Sequence, residues 1–293
     1  MMTILLIFFA LHSECGNSTG AVSNVKDDGI PRIPGMKLVW HDEFNKDGKP
    51  DRDNWGYENG FVRNRELQWY QPQNAYCKDG KLIIEGKRER SDNPYYYPQS
   101  SDWRTNRKYA NYSSSSLVTK GLQEWIGPGY YEIRARIDTT SGAWPAIWLL
   151  GTKSHWPNCG EIDVMEFYRI DGTPTILANA CWGSEEDNHG AWDSQKIPLA
   201  DFLKEDPGWV RKFHVWGMKW DKKVIRIFID HELVNTIELD KTNNPDDFNP
   251  FVSNQKFYIL LNLAIGANGG TPMDAKFPIS YVVDYVRVYK VIE

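Results

Sequence analysis

The segment Cys159 to Phe167 reads CGEIDVMEF and places three carboxylic acids, Glu161, Asp163 and Glu166, within six residues. Ile162 and Val164 are β-branched and Gly160 opens the run, so a strand is expected. Alternation puts Glu161 and Asp163 on one face. Glu166 lies five positions from Glu161, an odd number that strict alternation sends to the opposite face. One bulge residue around Val164 or Met165 restores the register and brings all three acids to one side. A helix would leave Glu161 and Glu166 far apart around its circumference. Acids crowded on one face repel one another, a cost that a functional site would explain.

The chemistry that needs this arrangement is glycosidic cleavage with retention. It calls for two carboxyl groups about 5 to 5.5 Å apart, one ionised to attack the anomeric carbon and one protonated to assist the leaving oxygen. Glu161 and Glu166 are the candidates, and Asp163 between them can hydrogen-bond the nucleophile and raise its neighbours' pKa by like-charge repulsion. An exposed acidic strand or a calcium-binding acidic cluster would show the same short pattern, which alone is unspecific.

The stretch just upstream, Ser141 to Leu150 (SGAWPAIWLL), is expected to pair beside the acidic strand as a hairpin partner. Trp144 and Trp148 are four apart, hence on one face if the strand is regular. One would form a sugar platform beside the acids, and the other could belong to the core. Pro145 hints at an edge or bulge there.

Those residues need a scaffold, and the chain supplies strand signals at short intervals. Lys81 to Glu85, Tyr130 to Ile137, Phe213 to Trp220, Val224 to Asp230, Phe257 to Ile265 and Tyr281 to Val291 all read as strands. In YYEIRARI, Tyr131, Ile133, Ala135 and Ile137 share one face and Glu132, Arg134 and Arg136 the other. In the last strand, alternation groups Arg287 with Val283, Tyr285 and Tyr289, and Asp284 with Val282, Val286 and Val288, so burial on both faces is expected. Only Pro198 to Glu205 reads as helical. Ser91 to Ser116 lacks a hydrophobic period and reads as a long surface loop whose Tyr95, Tyr96, Tyr97 and Trp103 favour binding. Many strands with almost no helix imply an all-β fold, a two-sheet sandwich or jelly roll. No composition break interrupts residues 30–292, which read as one domain.

Composition narrows the partner. The net charge is −5 with both signs interspersed and no Lys/Arg run, which argues against nucleic acid and for a neutral substrate. Aromatics make up 14% of the chain, including 13 Trp and 15 Tyr, many of them beside Asn, Asp, Gly and Ser. Such residues suit stacking on sugar rings, although sandwich cores also use them. His189 and Asp193 follow the acidic strand, but no Ser or Cys sits in a nucleophile-elbow context to complete a triad.

Thr3 to Leu11 (TILLIFFAL) is too short for a bilayer span but fits the apolar core of a signal peptide. Residues 1–24 are therefore expected to be a signal peptide and polar tether, with Cys15 as a site for a lipid anchor, although Glu14 is a poor match to a lipoprotein signal. Export to the extracellular space, periplasm or outer surface is the expectation, and no later segment approaches a membrane span. Cys77, Cys159 and Cys181 then remain, too few and wrongly spaced for a disulfide framework or zinc site.

WPAIWLL followed by WPNCGEIDVMEF resembles the signature of glycoside hydrolase family 16, in its laminarinase-like branch. The likeness extends along nearly the whole domain: LVWHDEFN at 38–45, NRELQWY at 64–70, DGKLIIEGKRE at 79–89, GYYEIRARI at 129–137, LLNLAIG at 260–266 and VDYVRVY at 283–289. The resemblance implies a concanavalin-like β-jelly roll with a substrate cleft across its concave sheet. It implies retaining endo-hydrolysis of β-1,3- or β-1,4-linked glucans or galactans, and the expectation here is a monomer without a required cofactor that cuts β-1,3- or mixed-linkage β-1,3-1,4-glucan. Within the family an endo-β-galactosidase on agar-like or host O-glycan chains is the alternative; a lectin-like binding module is the alternative of another class. Glu161 matches the nucleophile, Asp163 the assisting acid and Glu166 the acid/base. Trp144 matches the stacking tryptophan, and Asn64 and Glu66 match residues that hydrogen-bond the sugar on the non-reducing side. Trp148, Asn179, Trp182 and Asn262 complete the expected substrate-binding set. Glu43 and Asp284 match positions that hold a structural calcium in relatives. The chain departs from the laminarinase pattern at two places: Cys181 stands where a histidine is usual, and Asn268, Gly269 and Gly270 stand where many relatives have a Trp. Linkage specificity is the property these departures touch.

Overall fold

The structure, a computed structural model, describes residues 29–186 and 189–292. Residues 29–34 belong to a separate short N-terminal unit without helix or strand, and one compact body runs from Gly35 onward. The expected signal segment with Cys15 lies outside the described residues. Among the described residues, no helix is long and apolar enough to cross a membrane.

Two eight-stranded sheets build the body, and every pairing within them is antiparallel. One sheet runs Glu232–Glu238, Val224–Ile229, His214–Trp220, Gly129–Arg136, Ile279–Val291, Leu82–Gly86 and Ala75–Cys77, with Met36–Asp42 also on the long C-terminal strand. The other, here called the cleft sheet, runs Gly190–Pro198, Thr173–Gly183, Glu161–Ile170, Ala143–Gly151, Lys256–Ile265, Ser116–Val118 and Gly56–Tyr57. Trp125–Ile126 adds to its Lys256–Ile265 strand. This is the jelly roll that the strand pattern implied.

The period-2 alternation explains why the sheets close on each other. Tyr131, Ile133, Ala135, Trp216 and Met218 on one sheet and Ile147, Leu149, Ile162, Phe167, Ile259 and Leu261 on the other form one continuous core. Each such side chain contributes about 1.5–3 kcal/mol on full burial, an upper figure because the unfolded chain already buries some surface. Trp55, Trp216 and Trp220 are wholly buried, so part of the aromatic excess is core.

The C-terminal strand departs from strict alternation. Its pairing with Gly129–Arg136 slips by one residue, Arg134 facing Tyr285 and Ala135 facing Val283. Asp284 is the extra residue, so Tyr281, Val283, Val286 and Val288 all reach the core. The two charges face partners instead: Asp284 pairs with Arg134, and Arg287 donates to both oxygens of Glu43 at 2.9 and 2.8 Å. Glu43 and Asp284 are therefore each matched by an arginine, an arrangement that does not fit a calcium site, since a cation would have to displace a guanidinium. Among the described residues, no group of three His, Cys, Asp or Glu is arranged to hold a metal.

Three other expectations need correction. Pro145 makes no bulge, because Ala143–Gly151 pairs without a break against Lys256–Ile265. The helix begins at Leu199, one residue past Pro198. The segment 91–116 is not a featureless loop. Ser91–Asp92 pairs with Tyr109–Ala110, a helical turn spans Trp103–Asn106, and Tyr112–Ser114 runs parallel to Gln68–Tyr70. Its polar composition hid this order because side-chain bonds within the segment, such as those of Asn93 to the carbonyls of Arg104 and Arg107, hold it without a hydrophobic period.

Candidate active site

Glu161–Ile170 lies near the middle of the cleft sheet, between Ala143–Gly151 and Thr173–Gly183. Gly160 precedes it at φ +77°, and a Cβ there would come 2.7 Å from Pro250 Cβ, so only glycine lets the chain turn into the strand. The strand is kinked by one residue, and both neighbours register the slip. On one side Trp148 faces Asp163 but Ile147 faces Met165; on the other Asn179 faces Asp163 but Leu177 faces Glu166. Val164 and Met165 both turn into the core. Glu161, Asp163 and Glu166, with Tyr168 beyond them, consequently line one open cleft of about 660 Å³.

Each acid is held by a named donor. Trp156 Nε1 donates to Glu161 Oε2 at 2.6 Å, and Trp144 Nε1 donates to Glu166 Oε1 at 2.8 Å. Asn179 Nδ2 donates to Asp163 Oδ2 at 3.0 Å. Burial, then the charges of Asp163 and Glu166, raise the Glu161 pKa; burial, then the charge of Asp163, raises that of Glu166. Burial pushes Asp163 up to about 6, with hydrogen bonds from Asn179 and Glu161 opposing the rise. Such a trio titrates as a set, and it retains a proton at pH values where free carboxylates are ionised.

The expected binding residues divide. Trp144, Trp148, Asn64, Glu66, Asn179 and Asn262 all line the cleft. Asn64 Nδ2 and Gln68 Nε2 donate to Glu66 at 3.3 and 2.6 Å, and burial raises the Glu66 pKa. Asn262 accepts from Trp148 Nε1 at 2.7 Å and donates to the Tyr70 hydroxyl at 3.1 Å, so its amide fixes the tryptophan. Both tryptophans of the hairpin partner line the cleft, and Trp148 also packs in a small buried cluster with Ala146, Tyr258 and Leu260. Trp182 is the exception: it packs against the core. On Thr173–Gly183, Asn179 and Cys181 are the residues beside the acids, and alternation sends Trp182 the other way.

Cys181 directly faces Glu161 across the strands. Burial, then the charges of Glu161 and Asp163, push its thiol up, so a buried, uncharged thiol stands at the position where a histidine was expected.

Sequence reasoning missed four contributors. Trp156 and Trp192 are the exposed aromatics of the cleft, at 44% and 47%. Trp192 pairs with Cys181 in the next strand, a hairpin register that would have pointed to it. Arg63 lines the opposite end, and Arg107 supports it from outside. Arg107 donates to the carbonyls of Glu66 and Arg65 at 2.6 and 3.0 Å, and Arg104 to that of Val62 at 3.1 Å. The segment 91–116 thus braces the turn that carries Arg63, Asn64 and Glu66, where Asn64 and Arg65 sit at φ +55° and +52°.

Comparison with known proteins gives the same picture. The glycosyl hydrolases family 16 profile matches residues 99–282. The chain is 33% identical over 291 residues to the beta-glucanase of Rhodothermus marinus, covering 92% of this chain and 91% of that protein. Among solved structures, the laminarinase from Rhodothermus marinus superposes with a TM-score of 0.71 at 32% identity, over 89% of this chain and 100% of that one. A chain from a study of endo-acting O-glycanases, expressed by prominent members of the human gut microbiota to initiate mucin breakdown, superposes with a TM-score of 0.79 at 33% identity, over 89% and 94%.

Proposed function

The chain belongs to glycoside hydrolase family 16, and from that premise we propose that it is a retaining endo-glycosidase acting on β-1,3- or mixed-linkage β-1,3-1,4-glucan. One observation carries the mechanism: the kink at Val164 turns Glu161, Asp163 and Glu166 into one cleft.

The Glu161 carboxylate attacks the anomeric carbon while Glu166 passes its proton to the departing glycosidic oxygen. The C–O bond to the leaving sugar breaks as an ester to Glu161 forms. Glu166, now ionised, takes a proton from water, whose oxygen displaces Glu161 and regenerates both groups. Asp163 and Glu161 are close enough to share a proton. Asp163 can therefore take that proton when Glu161 must be ionised. All steps use side chains of the protein, so no cofactor is required.

A second reading, endo-β-galactosidase action on host O-glycan chains, is favoured by one specific observation. The TM-score of 0.79 to the chain from the O-glycanase study exceeds the 0.71 to the laminarinase. A panel of laminarin, barley glucan, agarose-type galactan and mucin O-glycans separates the two. Reducing ends released as oligosaccharides from the glucans support the first reading; release from mucin glycans alone replaces it with the second. The Glu166→Ala variant should spare activated aryl glycosides and lose about 10²- to 10⁴-fold on polymers. Equal loss on both would reverse the roles given to the two glutamates.

Export, with residues 1–24 as signal and tether and a lipid on Cys15, is part of the same proposal, since a polymer must be met outside the cell. Membrane fractionation and mass spectrometry of the mature N-terminus test it.

A further inference from the structure

Trp148 borders the cleft yet is only 7% exposed, and its surroundings explain why. Its indole N–H is tied to Asn262, and the Arg63 guanidinium carbon lies 4.9 Å from its ring centroid. Arg63 is itself anchored. It pairs with Glu58, whose other oxygen accepts from Ser116 Oγ at 2.6 Å, and the flanking backbone is held by Arg104 and Arg107. Its Nη1 is buried and has no hydrogen-bond partner among the described residues, and the side chain borders the cleft.

We infer that Arg63 is a specificity-determining residue: it takes the face of Trp148 and makes that end of the cleft select a sugar unit offering neutral acceptor oxygens, hydroxyl or acetamido. This rests on the glycosidase reading above and adds a selection rule to it. A bare indole would offer a flat apolar face for ring stacking. A guanidinium offers N–H donors fanned in one plane, of which Glu58 uses only part. The Arg63 side chain is 24% exposed and borders the cleft, so the N–H donors that Glu58 leaves free can meet a ligand oxygen there. The flanking carboxylate decides the charge of that ligand. Glu58 already balances the guanidinium, so a sulfate or carboxylate would meet a neutralised pair rather than a free cation.

The test compares the wild type with Arg63→Ala and Arg63→Lys on each polymer that the wild type cleaves, with Tm measured for all three. Arg63→Ala is expected to raise KM about tenfold or more while kcat stays within about threefold. Arg63→Lys, which keeps a cation for Glu58, should recover Tm but not KM. Unchanged KM in Arg63→Ala, or full recovery by lysine, overturns the inference in favour of a purely structural ion pair. Calorimetric titration of Glu161→Gln and of Glu161→Gln/Arg63→Ala with neutral oligosaccharides from the panel reads Arg63 without turnover. If the wild type cleaves nothing, the glycosidase reading fails while a weaker-binding double variant still supports Arg63. Equal or absent binding by both overturns it.

Discussion

Asn179 stands directly across the sheet from Asp163 and donates its amide to Asp163 Oδ2 at 3.0 Å, with Glu166 Oε2 at 3.4 Å from the same nitrogen. One amide therefore spans the kink and links the first half of the acidic strand to the second. Its bond to Asp163 favours the ionised form of that acid. Replacing Asn179 with Ala should raise the Asp163 pKa above its value of about 6 and lower kcat/KM by about 10- to 100-fold. The pH dependence of kcat/KM checks this; an unchanged profile would leave Asn179 with no part in tuning the acids.

Asp163 in turn acts on Glu166, whose pKa its charge raises. The basic limb of the pH–rate profile reports the loss of the acid's proton. Removing the charge with Asp163→Asn lowers the Glu166 pKa, so that limb should move to lower pH even where the maximal rate falls. A limb that stays put or moves upward contradicts the assignment.

The crowding of acids also sets a stability prediction. Glu161 has a raised pKa in the folded protein, so the fold binds its proton more tightly than the unfolded chain does. That contribution is complete below the ordinary value of 4.5 and is lost as pH rises toward the folded value. Glu161→Gln removes the liability. Its Tm should exceed that of the wild type by several degrees near pH 7, and the gain should shrink as pH falls toward 4.5 and be gone below it. Calorimetric scans at both pH values decide it, and the same variant should be inactive.

Arg107 does not itself line the cleft, yet its two bonds hold the carbonyls of Glu66, which does, and of Arg65. Arg107→Ala should therefore raise KM about three- to tenfold through a loosened turn and leave kcat nearly unchanged. A fall in kcat with KM intact would show that the brace serves the acids instead.

Much of this was readable from residue order. The odd spacing of Glu161 and Glu166 admits one strand solution, a single extra residue, and Val164 supplies it where Val164 or Met165 was expected. The alternation of Tyr131, Ile133 and Ala135 likewise foretold the inner face of a sandwich, since side chains on a strand must alternate. These are local rules, and local sequence suffices for them.

What the tertiary structure alone decided was which aromatic side chains meet the cleft and on what terms. Trp182 follows Cys181 in the strand beside the acids but turns to the core, and Trp192, from the strand beyond, is exposed in the cleft instead. Trp148 reaches the wall but lies under Arg63, 85 positions earlier in the chain, which is held by a turn that Arg107 braces from a third segment. Facing depends on register between strands, and access depends on what distant loops lay over a side chain. Both are set by contacts between residues far apart in order, which spacing along the chain does not encode.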